Sequence, residues 1–262
     1  MIKALFFDID GTLVSFKTHQ IPESTVEALA LSKEKGVKVF ISTGRPFPLI
    51  NNLDAVKHFI DGYITTNGAY CFIGNDIISC NDIQKEDVNT VIIESKRVGF
   101  PCMVVGEKDL TMYNTESNPE LVMKISKLLN ITGIDLELPI DSVTSQRIIQ
   151  LTPFISESQE SSLLLKLRNI ESGRWCPDFS DFTAKGVNKA KGLKEIAKRC
   201  NLDLSETMAF GDGGNDLSIV KAAGIGVAMG NANEILKTSA DYITTSVDNN
   251  GIYNALKVYN VI

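Results

Sequence analysis

Asp8-Ile9-Asp10-Gly11-Thr12 follows the apolar run Ala4-Leu5-Phe6-Phe7, which is short enough to be one buried strand. Two carboxylates separated by one residue therefore stand at a strand end. Burying charge is costly unless it is paired or holds a metal. Gly11 permits the tight turn that a side chain would obstruct. Two readings fit the pentapeptide alone. Asp-Gly is a strong turn signal, so it can be the bend of a hairpin. It can also be a nucleophilic aspartate and a second acid sharing a divalent cation. The second reading needs a cationic partner and a further acidic ligand elsewhere in the chain.

Outward from this stretch, Ser24 with Glu27 three residues on resembles a capping box. A helix is expected to about Lys35, with Gly36 placed to stop it. Val37 to Ile41 is a continuous, largely β-branched strand that delivers Ser42-Thr43-Gly44-Arg45 at its carboxyl end. A helix is expected from Pro46 to Val56. Ile60 to Ile64 reads as a third strand, ending in Thr65-Thr66-Asn67-Gly68-Ala69. Strand, helix, strand, helix, strand implies a parallel sheet with right-handed crossovers. Ligands bind outside the carboxyl ends of such strands. The signatures beginning at Asp8, Thr43 and Thr66 all fall at that edge.

From about Cys71 the character changes. A hairpin is expected over 70–79, then helices near Lys85 to Val98, Pro119 to Leu129 and Ser156 to Leu167. Strands are expected at Cys102 to Val105, Leu110 to Tyr113, Val143 to Thr152 and Ile170 to Trp175. The parallel pattern resumes near Lys185, with a helix over Lys189 to Cys200. A short strand at Thr207 to Phe210 leads into Gly211-Asp212-Gly213-Gly214-Asn215-Asp216. The expected organisation is α/β: a Rossmann-like core over 1–80 and 185–262, interrupted by an α+β domain over 81–184.

Asp8, Asp10 and Asp212 thus stand at strand ends. Oxygen ligands in this number suit a hard cation, Mg²⁺ foremost. Asp10 can serve through its backbone carbonyl, leaving its side chain for proton transfer. Thr43 and the Gly44 amide, at a strand end leading into a helix, form a natural anion cradle. Lys189 would supply positive charge.

The composition bounds the rest. A formal net charge of -6, without a Lys/Arg-rich run, lacks the electrostatic footprint of a nucleic-acid binder. No apolar segment approaches the roughly 20 residues of a membrane helix, so a cytoplasmic protein without a membrane partner is expected. The five cysteines include no Cys-x-x-Cys pair, and free thiols are the expectation. A monomer is expected.

Asp-x-Asp-Gly-Thr, Ser-Thr-Gly-Arg, a lysine and Gly-Asp-x-x-Asn-Asp, in this order, resemble the haloacid dehalogenase (HAD) superfamily of phosphatases. The size and place of the insertion, and Thr66-Asn67-Gly68-Ala69, are similar to the Cof-type subfamily IIB members, with an α+β cap of type C2B. Gly173-Arg174-Trp175 and Thr183-Ala184-Lys185-Gly186 resemble bacterial hexose-phosphate phosphatases. The resemblance implies that Asp8 attacks phosphorus and becomes an aspartyl phosphate, while Asp10 acts as acid and then base. It implies that Thr43 and Gly44 bind phosphoryl oxygens, and that Lys189 neutralises charge. Mg²⁺ would be held by Asp8, the Asp10 carbonyl and Asp212. Asn215 would orient Lys189 or contact phosphate, and Asp216 would support the loop.

The implied reaction is hydrolysis of a small phosphorylated metabolite, a hexose phosphate foremost. A nucleotide, flavin mononucleotide or pyridoxal phosphate is the alternative substrate. A sugar phosphomutase and a non-catalytic phosphate-ligand sensor are the alternative functions. Arg45 and Asn67 in the core, and Arg147, Trp175 and Asp178 in the insertion, are candidates for binding the substrate.

Overall fold

In the computed structural model the described residues are 1–128, 131 and 136–262, with Trp175 described by its backbone alone. The chain forms two compact units. One comprises Met1–Arg45, Ile50–Ser79 and Asn188–Ile262, the other Pro46–Leu49 and Cys80–Val187.

The chain opens with β1 (Ala4–Phe7), α1 (Glu23–Glu34), β2 (Lys38–Ser42), β3 (Gly62–Thr65), β4 (Tyr70–Ile73) and β5 (Asp76–Cys80). The insertion then supplies α2 (Lys85–Val98), β6 (Cys102–Gly106), β7 (Leu110–Tyr113), α3 (Pro119–Leu128), α4 (Ile140–Thr144), β8 (Ile148–Pro153), α5 (Glu157–Leu164), β9 (Ile170–Cys176) and β10 (Phe179–Ala184). The first unit is completed by α6 (Lys189–Arg199), β11 (Thr207–Gly211), α7 (Leu217–Ala222), β12 (Ile225–Ala228), α8 (Glu234–Lys237), β13 (Tyr242–Ile243) and α9 (Gly251–Val258).

Among the described residues the first unit's sheet runs β13-β12-β11-β1-β2-β3-β4-β5. From β13 to β3 the neighbours are parallel, and β4 returns antiparallel to β3. β1 is central, flanked by β2 and β11. Alternation along β1 explains why the whole run is apolar. Leu5 and Phe7 face a layer holding Ala28, Leu29, Ile252 and Leu256. Ala4 and Phe6 face the opposite layer, with Leu193, Ile196, Ile219 and Val220. Phe7 stacks on Phe210 at 4.8 Å between ring centres, and Phe6 on Phe40 at 4.9 Å. A strand covered on both faces must be apolar throughout, and its first polar side chain emerges at the carboxyl edge, at Asp8.

The inserted unit has a sheet in the order β7-β6-β8-β10-β9, antiparallel throughout. One of its faces packs Cys102, Val104, Leu151 and Phe182 against Val88, Val91, Val143 and Leu163 of the helices. No helix among the described residues is long and apolar enough to cross a membrane. All five cysteines are free thiols.

Several local expectations change. Residues 46–56 form no α-helix. Short 3₁₀ turns stand at Phe47–Leu49 and Lys57–Phe59 instead. Pro46 and Pro48 disfavour helical backbone at Arg45 and Phe47, and Pro48 has no amide to donate. The first helix starts at Glu23 behind Pro22, without a side-chain cap, and Ser24 Oγ is buried without a partner. A helical turn over Ile140–Thr144 delays the strand expected from Val143. β10, missed in the sequence, pairs with β9 across a turn at Pro177 and Asp178. Leu129, the expected end of α3, and the Trp175 side chain lie outside the described residues.

Candidate active site

Asp8 continues β1 by donating its amide to Phe210 O at 3.1 Å, which fixes the side chain at the sheet's carboxyl edge. Lys189 opens α6, whose N-cap Asn188 accepts from the Lys191 amide at 3.0 Å. Gly68 admits this helix start. It sits at φ +98°, and a Cβ there would lie 2.2 Å from Asn188 O. The Lys189 ammonium is fully buried and donates to Asp8 Oδ1 and Asp216 Oδ1, both at 2.6 Å. Burial alone would discharge a lysine. The charges of Asp216 and Asp8 outweigh it and hold the Lys189 pKa above the ordinary value.

Asp216 is also fully buried. Its Oδ2 accepts from the Asp212 and Gly213 amides at 3.0 and 2.9 Å, so one carboxylate fixes both the lysine and the 211–216 loop. Thr12 Oγ1 donates to Asp212 Oδ1 at 3.0 Å. Oxygens of Asp8, Asp212 and Asp216 lie within 4.8 Å of one another. Burial, reinforced by Asp216, pushes Asp212 up to about 7. Burial also raises Asp8 well above the usual carboxylate range, against the pull of Lys189 and with Asp216, Asp212 and Asp10 adding to it. Such crowding of hard oxygens fits a divalent cation, whose charge would let Asp8 and Asp212 ionise together. Both Asp216 oxygens already serve Lys189 and the loop amides, so Asp8 and Asp212 are the members of the group that could hold it.

Arg45 grips Asp10 with two parallel bonds, Nε to Oδ2 at 2.7 Å and Nη2 to Oδ1 at 2.8 Å. The Arg45 amide donates to Thr43 Oγ1 at 3.1 Å, and Thr43 O accepts from the Asn67 amide at 3.0 Å. Asn215 Nδ2 donates to Asn67 Oδ1 at 3.1 Å. A Cβ on Gly44 would come within 3.1 Å of the same Asn67 oxygen. Thr66 and Asn67 sit at φ 48° and 53°, a conformation a β-branched residue such as Thr66 adopts only under constraint. The turn beside the cradle is thus held in strain by its surroundings.

A family model described as haloacid dehalogenase-like hydrolase matches residues 5–256. The chain belongs to this family. A solved HAD subclass IIB sugar phosphatase is 45% identical, with a TM-score of 0.90 over 99% of this chain and 100% of that one. A HAD-superfamily phosphatase from Bacteroides thetaiotaomicron is 34% identical, with a TM-score of 0.88 over 100% and 96%. YkrA of Bacillus subtilis, whose phosphatase name is provisional, is 31% identical over 97% of this chain and 96% of its own length. The resemblance read from the motifs holds, and the protein is an HAD-family phosphatase.

In this HAD-family phosphatase Asp8, Lys189, Asp212 and Asp216 meet in one cluster. Thr43, Arg45, Asn67 and Asn215 join a second network that reaches Asp10. Lys189 is oriented by Asp8 and Asp216, while Asn215 goes to Asn67. Arg147 pairs with Glu107 at 2.7 Å, and Asp178 pairs with Lys124. The Trp175 side chain lies outside the described residues. Sequence reasoning missed Asn231. Its Nδ2 donates to Gly11 O at 2.8 Å, and its Oδ1 accepts from the Val247 amide at 3.0 Å, which ties down the Gly11 turn. The only sequence signal is Gly230-Asn231 shortly after β12, an ordinary turn pair.

Proposed function

We propose that the protein hydrolyses phosphate monoesters of small metabolites, sugar phosphates foremost, through an aspartyl phosphate on Asp8. The observation that carries the reading is the buried Lys189 ammonium bonded at once to Asp8 and Asp216. A phosphoryl group arriving at Asp8 brings negative charge into a site where carboxylates already crowd. Lys189 offsets that charge, and Asp216 keeps the lysine in place while it does so.

Asp8 attacks phosphorus, which divides a very high hydrolytic barrier into two steps. Thr43 and the Gly44 amide bind the transferring oxygens. Asp10 gives a proton to the leaving oxygen and later takes one from water. To do so Asp10 takes up a proton and turns one oxygen from Arg45 to the leaving oxygen, while Arg45 keeps its bond to the other oxygen and so holds the aim. Asp8 and Asp212 side chains and the Asp10 carbonyl would hold Mg²⁺. When bound, the cation supplies charge neutralisation for the phosphoryl group. Asn67 and Asn215 bond to each other beside the cradle, and the Asn67 amide holds Thr43 O.

The sugar reading rests on the 45% identical sugar phosphatase, whose likeness runs through the inserted unit as well as the core. We infer that the inserted unit selects the leaving group. A phosphate-release screen over hexose phosphates, nucleotides, flavin mononucleotide and pyridoxal phosphate with Mg²⁺ tests the reading. Hexose phosphates should lead, and Asp8→Asn should abolish release. Near-normal turnover by Asp8→Asn would overturn the covalent route.

A further inference from the structure

Directly after the catalytic turn the chain makes a second loop, from Ser15 to Gln20. Ser15 is buried, and its side chain closes the loop on itself. Ser15 Oγ accepts from the Lys17 and Thr18 amides at 3.0 and 3.3 Å and donates to Asp248 Oδ1 at 2.6 Å. The other Asp248 oxygen takes the Lys17 ammonium at 3.0 Å. The backbone adds Ser15 N to Gln20 O at 3.0 Å and His19 N to Ser15 O at 2.9 Å, with His19 in the left-handed region at φ 55°. The neighbouring Val247 amide is bonded to Asn231, which also holds Gly11 O. Residues 247 and 248 thus clasp both the catalytic turn and the loop that follows it.

This loop carries Phe16, which is 62% exposed. A single exposed apolar residue is ordinary on a protein surface. The position of Phe16 is not. A Cβ built on Gly11 would meet Phe16 Cε2 at 2.5 Å and Asp212 Oδ2 at 2.3 Å. The ring edge therefore rests on the bare backbone of Gly11, beside the Asp212 carboxylate, while most of the ring stays open to solvent. Every one of these residues belongs to the first unit.

Packing does not account for the arrangement. Phe16 is in neither of the two apolar layers that cover β1, and an exposed ring face contributes no burial on folding. Fixing the loop nonetheless costs conformational entropy. A loop held in advance in one conformation binds more tightly, because that cost is not met again on binding. What it holds here is a flat apolar face at the rim of a polar site, the usual composition of a small-molecule pocket. Asp10, which gives its proton to the leaving oxygen, directly precedes Gly11. The ring therefore borders the path along which the leaving group extends.

We propose that Phe16 is a specificity-determining residue, whose exposed ring face receives the apolar face of a ring in the leaving group. The C–H face of a sugar ring and the face of an arene share this chemistry. The proposal rests on the phosphatase reading and adds to it a contact made by the first unit itself.

The test compares the full-length chain with Phe16→Ala and Phe16→Tyr, measuring kcat/KM with Mg²⁺ on glucose 6-phosphate, phenyl phosphate and acetyl phosphate, whose leaving group has no ring. Removing an exposed ring leaves the core intact. Phe16→Ala should lose at least about tenfold on a ring-bearing substrate and less than about twofold on acetyl phosphate. A loss that includes glucose 6-phosphate assigns a sugar ring, and a loss on phenyl phosphate alone assigns an aromatic one. Phe16→Tyr keeps the ring face and should stay within about twofold of the wild type throughout. The Mg²⁺ concentration for half-maximal rate should be the same in all three proteins. Equal losses on all substrates, no loss on either ring-bearing substrate, a Phe16→Tyr as impaired as Phe16→Ala, or a raised Mg²⁺ requirement would overturn the proposal. Failure of the phosphatase reading is seen separately, as turnover that is absent from the wild type or survives Asp8→Asn.

Discussion

Lys189 and Asp216 form an ion pair at 2.6 Å in which both side chains have no solvent exposure. A buried charge that loses its partner is strongly destabilising, at about 3–5 kcal/mol. Asp8 remains as a second partner for the ammonium, so Asp216→Asn should fall at the low end, about 3 kcal/mol in urea unfolding. Lys189→Met should cost less in the Asp216→Asn background than in the wild type, because one of the lysine's two partners is already gone. Strictly additive losses in this double-mutant cycle would show that the two residues act separately.

Arg45 holds both carboxylate oxygens of Asp10. A side chain gripped in two places is aimed, and aim matters when a proton has to reach a poor leaving group. General acid catalysis is worth about 10²–10⁴-fold. Arg45→Met should therefore lower kcat on alkyl phosphates by about tenfold or more, a fraction of that range. On 4-nitrophenyl phosphate, whose phenolate leaves with little protonation, the loss should be much smaller. Steady-state kinetics across phosphates of graded leaving-group acidity give the answer. A uniform loss would assign Arg45 to binding instead.

Asp212 is pushed from 3.8 up to about 7, by burial first and by Asp216 next. The folded protein thus holds this proton more tightly than the unfolded chain does. The stability of the metal-free protein falls as pH rises from about 4 towards 7, and the penalty persists above that. Asp8 shifts in the same direction and adds to the slope. A cation bound by the two carboxylates cancels the penalty where they are ionised. The Tm gain from Mg²⁺ over chelator should therefore be larger at pH 8 than at pH 5.5, and Asp212→Asn should flatten the difference. A gain that is constant across that range would contradict the account.

Most of the fold can be read from the chain because β1, β2 and β11 are covered on both faces. Continuous apolar runs such as Ala4 to Phe7 and Val39 to Ile41 leave no other assignment, and polar side chains can then emerge only at their ends. Residues 46–56 were expected to be helical between two strands, where Pro46 and Pro48 disfavour a helix. β10 was hidden because Asp181 and Thr183 interrupt the apolar alternation. At the site, the types Asp8, Lys189 and Asp212 are legible as chemistry. Their partners are not. The Lys189–Asp216 and Arg45–Asp10 pairs join residues 27 and 35 positions apart, and no local spacing encodes such meetings.

Gly11 stands at φ +87°, where a side chain is strained whatever the space, and a Cβ there would lie 2.3 Å from Asp212 Oδ2. That distance is far inside contact, and the obstacle is the carboxylate assigned to the cation. Gly11 O also accepts from Asn231 at 2.8 Å, so the turn cannot swing away without breaking a bond. Gly11→Ala should cost about 1–3 kcal/mol of stability, as residues forced into sparsely populated backbone regions do. It should also displace Asp212 from Thr12 and raise the Mg²⁺ concentration needed for half-maximal activity by about tenfold, a shift of about 1.4 kcal/mol. Asn231→Ala frees the same turn without introducing a clash, and should soften the Mg²⁺ requirement far less. Magnesium titrations of phosphate release by the two variants separate displacement of the ligand from loosening of the loop. An unchanged Mg²⁺ requirement in Gly11→Ala would remove Asp212 from the cation's ligands.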